Sequence, residues 1–302
     1  MCFISIVVPL YNKEHYVERM ITSVINQSIH DYEVIIVNDG STDNSVNVLN
    51  PLLKPNMRII HQEHAGSSAA RNRGIRESKG KLIAFLDADD EWEVTFLEKI
   101  KNLYVMYPEA GAYGTGYVTI LPSGKKLIPK IEAIPTNQSP VLIQNYANVV
   151  LGDLPIISSA VAVKKSTFEQ VGYFPVGRSL GEDQDMWFRI ALQYPIAYDP
   201  SIQCIYYRGL EGSMCANLEI LEEYAIIQTV REHLEQTDTS FNRVALREYL
   251  AKLQLDYAKR LYEAGHIRKA IMLIRTCRTK EFLLQKQFMI IKLWLKKLIA
   301  YN

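Results

Sequence analysis

Lys81-Leu82-Ile83-Ala84-Phe85-Leu86 runs directly into Asp87-Ala88-Asp89-Asp90. An apolar run of this length reads as a strand buried on both faces, and three acids in the next four residues place its end abruptly in a polar loop. A strand covered on both faces belongs to a largely parallel sheet flanked by helices, where ligands bind beyond the carboxyl ends of the strands. Carboxylates this close repel one another. A hard cation offsets the repulsion, and Mg2+ or Mn2+ takes such groups together with phosphate oxygens and water rather than a full protein cage. The competing structural reading is helix N-capping by Asp89 or Asp90 ahead of a helix over 93–107.

The same alternation extends outward. Strands over 4–8, 33–37 and 57–61 alternate with helices over 14–27, 42–53 and 67–78, a serial α/β layout. Short strands are expected between 110 and 131 around a hairpin turn at Pro122-Ser123-Gly124. A helix over 141–151, a strand over 156–163, a helix over 182–193 and strands over 196–198 and 202–207 follow. After about residue 216 the pattern is helical to the end, with breaks near Thr237-Asp238, Gly265 and Arg278-Thr279. This divides the chain into 1–215 and a helical appendage over 216–302.

Four polar clusters lie at or near predicted strand ends: Pro9-Leu10-Tyr11-Asn12, Asn38-Asp39-Gly40-Ser41, Asp87-Ala88-Asp89-Asp90 and Gly181-Glu182-Asp183. In an open α/β sheet they converge on one crevice. Asp39-Gly40-Ser41 also reads as a turn capping the next helix, and Glu182, Asp183 and Asp185 as an acidic first turn that suits the helix dipole. No G-x-x-x-x-G-K-[ST] loop and no G-x-G-x-x-G after a strand is present, which removes the main support for P-loop and dinucleotide-binding readings.

Taken in order, Ile6-Val7-Val8-Pro9-Leu10-Tyr11-Asn12, Val37-Asn38-Asp39-Gly40-Ser41-Thr42-Asp43, Ala70-Arg71-Asn72-Arg73-Gly74, Phe85-Leu86-Asp87-Ala88-Asp89-Asp90 and Gly181-Glu182-Asp183 closely resemble the family-2 inverting glycosyltransferases of the GT-A fold, over about residues 3–215. The resemblance implies an α/β fold, a Rossmann-like open mixed sheet flanked by helices, here with a C-terminal helical appendage. It implies a nucleotide-sugar donor, most often a UDP-sugar, and Mn2+ or Mg2+. By position, Pro9, Tyr11 and Asp39 would hold the nucleobase, Asp39 by accepting its imide N–H, and Asn12 would belong to the same donor-binding set. Arg71 would sit near base and phosphates; at 100° per residue Arg71, Arg73 and Arg76 cannot all face one crevice, so one of them acts. Asp87 would lie near the ribose and the metal, Ala88 would belong to the donor-binding set, and Asp89 with Asp87 would ligate the metal. Asp183 would be the general base on the acceptor hydroxyl, with Glu182 orienting it or the acceptor. Many members carry Arg-x-His after the last strand, where the histidine supplies a further metal ligand; this chain has Arg208-Gly209-Leu210. Arg208 is then expected to pair with the diphosphate, and Glu211-Gly212-Ser213 to form an acceptor-side loop. Trp92 and Trp187 are expected in the core rather than on a sugar, and His61 and His64 receive no role.

The family analogy extends to a saccharide or lipid-linked saccharide acceptor in surface polysaccharide synthesis. Two rivals are a related nucleotidyltransferase, which would lack an acceptor base, and a non-catalytic glycan-binding or scaffold protein, against which retention of Asp87, Asp89 and Asp183 argues. The 302 residues, with 34 Lys+Arg against 33 Asp+Glu and 48% hydrophobic residues, exclude wholesale disorder. The near-neutral total conceals a split: residues 1–240 carry 20 basic and 29 acidic side chains, residues 241–302 carry 14 basic and 4 acidic. Such asymmetry suggests an anionic partner for the basic part. Residues 280–302 read as an amphipathic helix, suited to an anionic membrane surface or a protein partner; without an aromatic stacking platform, nucleic acid is not expected. Four dispersed cysteines read as reduced thiols, and the first ten residues as a strand rather than a signal peptide, so a cytoplasmic chain, peripheral at the inner face of the membrane, is expected.

Overall fold

The computed structural model describes residues 2–134, 139–178, 180–210, 222–235 and 242–299, without the side chains of 297–299. Strands β1 (Ile4–Leu10), β2 (Tyr32–Asp39), β3 (Met57–Gln62) and β4 (Leu82–Phe85) alternate with helices α1 (Val17–Ile25), α2 (Ser45–Leu49) and α3 (Ser67–Glu77). β2, β1 and β4 are apolar through their middles and almost wholly buried, as sheets with both faces covered require. A two-residue strand β5 (Glu91–Trp92) and helix α4 (Phe96–Met106) come next, then β6 (Ala112–Ile120), β7 (Lys126–Leu127) and β8 (Val141–Ile143). Helix α5 (Tyr146–Val149), strand β9 (Val161–Lys164), helices α6 (Lys165–Val171) and α7 (Glu182–Gln193) and strand β10 (Ile196–Tyr207) complete the α/β part.

The strands form one sheet in the order β3-β2-β1-β4-β9-β6-β10-β5, with β7 beside β6 and β8 beside β10. β3, β2, β1 and β4 are parallel; β9 runs against β4 and β6, and β10 runs parallel to β6. The order steps one way from β1 through β3 and then jumps across to β4, so a crevice opens between the carboxyl ends of β1 and β4, where open α/β sheets bind ligands. Pro9 sits in β1 opposite Val37. β4 pairs with β1 only as far as Val7, so on that side Pro9's missing N–H has no ladder partner to deprive.

Three expected elements are corrected. The helix over 141–151 is instead strand β8, antiparallel to β10, followed by the single turn α5. The helix over 93–107 starts at Phe96 behind Thr95, so neither Asp89 nor Asp90 caps it. The strands over 196–198 and 202–207 are one strand, β10, bulged between Asp199 and Ile202.

The C-terminal helices are α8 (Ala225–Glu235), α9 (Arg243–Glu263), α10 (Ile267–Thr276) and α11 (Leu283–Ile299), with breaks at Gly265 and 278–279; Thr237-Asp238 lies outside the described residues. They share one core with the sheet: Phe85, Trp187 and Phe188 belong to the same buried cluster as Leu246, Tyr249 and Ala258. A second cluster, including Ile6, Phe96 and Trp92, fills the other face. Among the described residues no helix is long and apolar enough to cross a membrane.

Candidate active site

Beyond β1, Tyr11 is exposed and Asn12 takes a left-handed backbone (φ 49°) that turns the chain toward the loop after β2. Asn12 N–H donates to Ser41 Oγ (3.1 Å) and its Oδ1 accepts from Thr42 N–H (2.8 Å), stitching the two loops together. Asp39, at the end of β2, is buried and does not cap α2. Its carboxylate accepts from the backbone N–H groups of Ala65 (2.9 Å) and Gly66 (2.8 Å) and from Gln62 Nε2 (2.7 Å), and His64 Nδ1 lies 2.9 Å from it. The His64 ring stacks on Tyr11 with centroids 4.1 Å apart.

The acidic turn after β4 is held from several sides. Asp87 N–H donates to Ser159 Oγ (3.1 Å), and Arg19 Nη2 donates to Asp89 O (2.5 Å) while lying over the Tyr207 ring. Asp90 is buried, accepting from Ser159 Oγ (2.5 Å) and Tyr207 N–H (3.1 Å). Burial, with the charges of Asp89 and Asp87, pushes its carboxyl well above the usual range, and its two hydrogen bonds make Asp90 a structural post under the turn. Trp92 and Trp187 are buried, as expected of core residues.

Arg71 is the hub. It projects from α3, buried, and bonds Asp87 Oδ1 (2.8 Å) and Glu182 Oε1 (3.1 Å), while Arg73 and Arg76 point outward. Burial disfavours its charge, but Asp87 and Glu182 outweigh burial and raise its pKa, fixing the guanidinium. Gly74 on the same helix makes this reach practicable: a Cβ there would stand 2.3 Å from Val7 Cγ1, so only glycine lets α3 lie this close on β1.

Asp183 and Glu182 open α7 behind Gly181, whose φ is 71°. Burial raises the pKa of Asp183 against the pull of Arg71 and the bond from Gln184 N–H (2.7 Å). Burial and the Asp183 charge push Glu182 up to about 7, again against Arg71. Asp89 pairs with Lys13 Nζ at 2.7 Å. Two fixed cations, Lys13 and Arg71, thus face four carboxyl groups, Asp87, Asp89, Glu182 and Asp183. The excess of negative charge suits a divalent cation. Asp87 and Asp89 are the hard oxygen donors that Mn2+ or Mg2+ would take here; among the described residues no group of three or more His, Cys, Asp or Glu is placed to hold a metal ion, so such an ion would complete its shell with water and substrate oxygens.

Of the residues expected to act together, Asp87, Arg71 and Glu182 meet directly, with Asp183 beside them and Tyr11, Asn12 and Asp39 on the adjoining loops. Pro9 and Ala88 lie in the strand and turn that shape the crevice. Arg208 is exposed just past β10, its N–H on Ile120 O (3.0 Å), and 211–213 lie outside the described residues. Lys13, His64, Gln62 and Ser159 carried no expectation, although Lys13 directly follows the Tyr11-Asn12 motif.

Residues 5–169 match the family model described as glycosyl transferase family 2. An uncharacterized glycosyltransferase of Rickettsia felis is 30% identical over 215 residues, covering 66% of this chain and 33% of that protein. The uncharacterized glycosyltransferase YibD of Escherichia coli K12 is 43% identical over 102 residues, 33% of this chain and 30% of its own. Glycosyltransferase GlyA of Streptococcus pneumoniae is 37% identical over 116 residues, 38% of this chain and 17% of its own. The matches thus span about a third or less of these relatives' lengths. S. aureus TarS 1-349 in complex with UDP-GlcNAc superposes with TM-score 0.64 at 16% identity over 86% of this chain and 73% of that one. Mannosyltransferase PcManGT from Pyrobaculum calidifontis, in complex with GDP-Man and Mn2+, gives 0.62 at 16% identity over 99% and 88%. At these identities the likeness concerns the fold, GT-A with added C-terminal helices. With a family match across more than half of the chain, carrying the motifs at the ends of β1, β2 and β4 and on α3, this chain belongs to glycosyl transferase family 2.

Proposed function

We propose that the chain is an inverting glycosyltransferase, moving a sugar from a UDP-sugar to a hydroxyl of a saccharide or lipid-linked saccharide acceptor in surface polysaccharide synthesis at the cytoplasmic face of the membrane. The observation that carries this reading is the Arg71 hub, which gathers Asp87 from the end of β4 and Glu182 from the start of α7, beside a carboxyl group, Asp183, with a raised pKa.

Tyr11 and Asp39, with Pro9 and Asn12 shaping their loops, hold the nucleobase. Asp87 and Ala88 lie toward the ribose, and Arg208 toward the diphosphate. Asp87 and Asp89 would hold Mn2+ or Mg2+, and the chemistry such an ion would supply is neutralisation of charge on the departing nucleoside diphosphate. Asp183 accepts the proton of the acceptor hydroxyl as that oxygen bonds to the anomeric carbon and the bond to the diphosphate breaks, one displacement that inverts the anomeric configuration. Burial that raises the Asp183 pKa makes it a better base than an ordinary aspartate. Glu182, fixed by Arg71, orients it. Donor complexes of TarS and PcManGT support a nucleotide-sugar donor, and Mn2+ in the latter supports a divalent metal. A nucleotidyltransferase has no use for an acceptor base, and no observation favours the scaffold reading.

The test is transfer from UDP- and GDP-sugars with and without Mn2+. Asp183→Asn should lower kcat by about 10²–10⁴-fold while leaving UDP affinity near that of the parent. The rising limb of the parent's pH profile should lie above that of a normal aspartate, because the base works only when deprotonated. Full turnover in Asp183→Asn would remove the base assignment.

A further inference from the structure

We propose that α11 rests flat on an anionic membrane surface, its outward apolar face among the acyl chains and the cations of α10 and the following turn on the headgroups. Sequence periodicity leaves two uses for this helix, packing or docking; its orientation separates them. Met289 and Leu293 turn inward, 7% and 2% exposed, and account for the packing. Leu284, Phe288, Ile291, Trp294 and Leu295 turn outward at 78%, 59%, 55%, 60% and 48% exposure. With Leu283 and Ile290 at its edge, this face sweeps about 160° of the helix at 100° per residue, interrupted among the described side chains only by Gln287.

The lysines lie beside or behind it. Lys286 Nζ donates to Cys277 O (2.6 Å), Lys296 Nζ to Tyr262 O (3.3 Å), and Lys292 lies over the Phe288 ring. This reverses the ordinary surface helix, whose apolar stripe faces the core. Soluble chains rarely leave so continuous an apolar face bare.

Charge selects the occupant. Residues 264–302 hold nine Lys and Arg against a single acid, Glu281. Arg268, Lys269 and Arg275 on α10, which packs on α11, and Arg278 and Lys280 in the turn between them are all exposed. A second copy seated on this face would bring like charge against like charge, whereas an anionic lipid surface answers both the apolar face and the cations. No described helix can span a bilayer, and α11 carries lysines along its length, so it lies in the interface plane.

Trp294 supplies the probe, since Trp92 and Trp187 are buried. The full chain is mixed with phosphatidylcholine vesicles with or without phosphatidylglycerol, followed by Trp emission and flotation. The expected result is a blue shift and flotation with phosphatidylglycerol vesicles only, both weakening as salt rises. Phe288→Gln/Trp294→Gln should lose flotation while keeping the parent Tm and donor binding. Arg268→Gln/Lys269→Gln/Arg275→Gln should bind roughly a hundredfold more weakly, from about fivefold per surface cation. Absence of a shift and of flotation for the full chain would overturn the proposal. So would flotation that Phe288→Gln/Trp294→Gln retains in full, or a concentration-dependent dimer that the same variant dissolves while the full chain ignores vesicles.

Discussion

His64 stands where the proposed site needs a nucleobase: stacked on Tyr11 and bonded to Asp39. Two backbone N–H groups, Gln62 and His64 already take the Asp39 oxygens, so an incoming imide N–H must displace one donor. His64 is the one that can leave, because its side chain is 55% exposed and it lies in the loop ahead of α3. His64→Ala should therefore tighten UDP binding, by roughly threefold to tenfold given the modest net worth of one exchanged hydrogen bond, read by calorimetric titration. Weaker binding would mean that His64 clamps the base instead. Asp39 was legible in the sequence because Asn38-Asp39-Gly40 closes an apolar strand. His64 and Lys13 were not: the pairs 39–64 and 13–89 form only when particular loops fold back over the sheet, and neither residue type announces such a contact.

Elements carry the next constraint. Since a Cβ at position 74 would collide with Val7, Gly74→Ala must lift α3 from β1. The expected cost is about 1–3 kcal/mol of stability, seen as a lower Tm, together with weakened donor binding because Arg71 moves with the helix. Glu33, opening β2, anchors the opposite end of the same elements through Ser5 Oγ (2.7 Å), Lys79 N–H (2.7 Å) and Arg58 (2.6 Å). Against burial, which acts upward, these partners hold its pKa at about 2. A folded-state pKa below the unfolded one stabilises above the ordinary glutamate range and loses that contribution as pH falls toward 2. In urea titrations Glu33→Gln should narrow the stability difference between pH 6 and pH 3, losing on the order of 3 kcal/mol at the upper end. Central strands were readable because burial on both faces leaves long Val- and Ile-rich runs. Residues 141–151 were not, since a short apolar run pairs as β8 or coils as a helix with equal periodicity, and only the edge of β10 decides. Two strands were expected over 196–198 and 202–207, yet β10 bulges between Asp199 and Ile202 and continues.

For the whole molecule the onset of the helical pattern places a boundary at 215/216, and packing reaches across that position. The helix that opens with Glu182 and Asp183 leans on the C-terminal helices: Thr229 of α8 donates to Asp185, and the Phe188 ring lies 6.1 Å from that of Tyr249 on α9. Lys252 of α9 donates to Val150 O (2.9 Å) and to Gly152 O. Trp187 and Phe188 are buried in a cluster that includes Leu246, Tyr249 and Ala258. Composition marks where charge changes sign but not which apolar faces meet, so a change of character along a chain need not be a seam in its core. The α/β part carries the proposed site, the C-terminal helices lean on α7 from behind, and the two should unfold as one cooperative unit. A fragment of residues 1–215 would bare the Trp187 side of that core, losing several large buried contacts of the kind that cost about 3–5 kcal/mol each when an aromatic is removed. The fragment is expected to show no cooperative thermal transition and to bind a dye for exposed apolar surface, whereas the full chain melts in one step. Cooperative melting of 1–215 near the full-length Tm would instead make the C-terminal helices a separable unit.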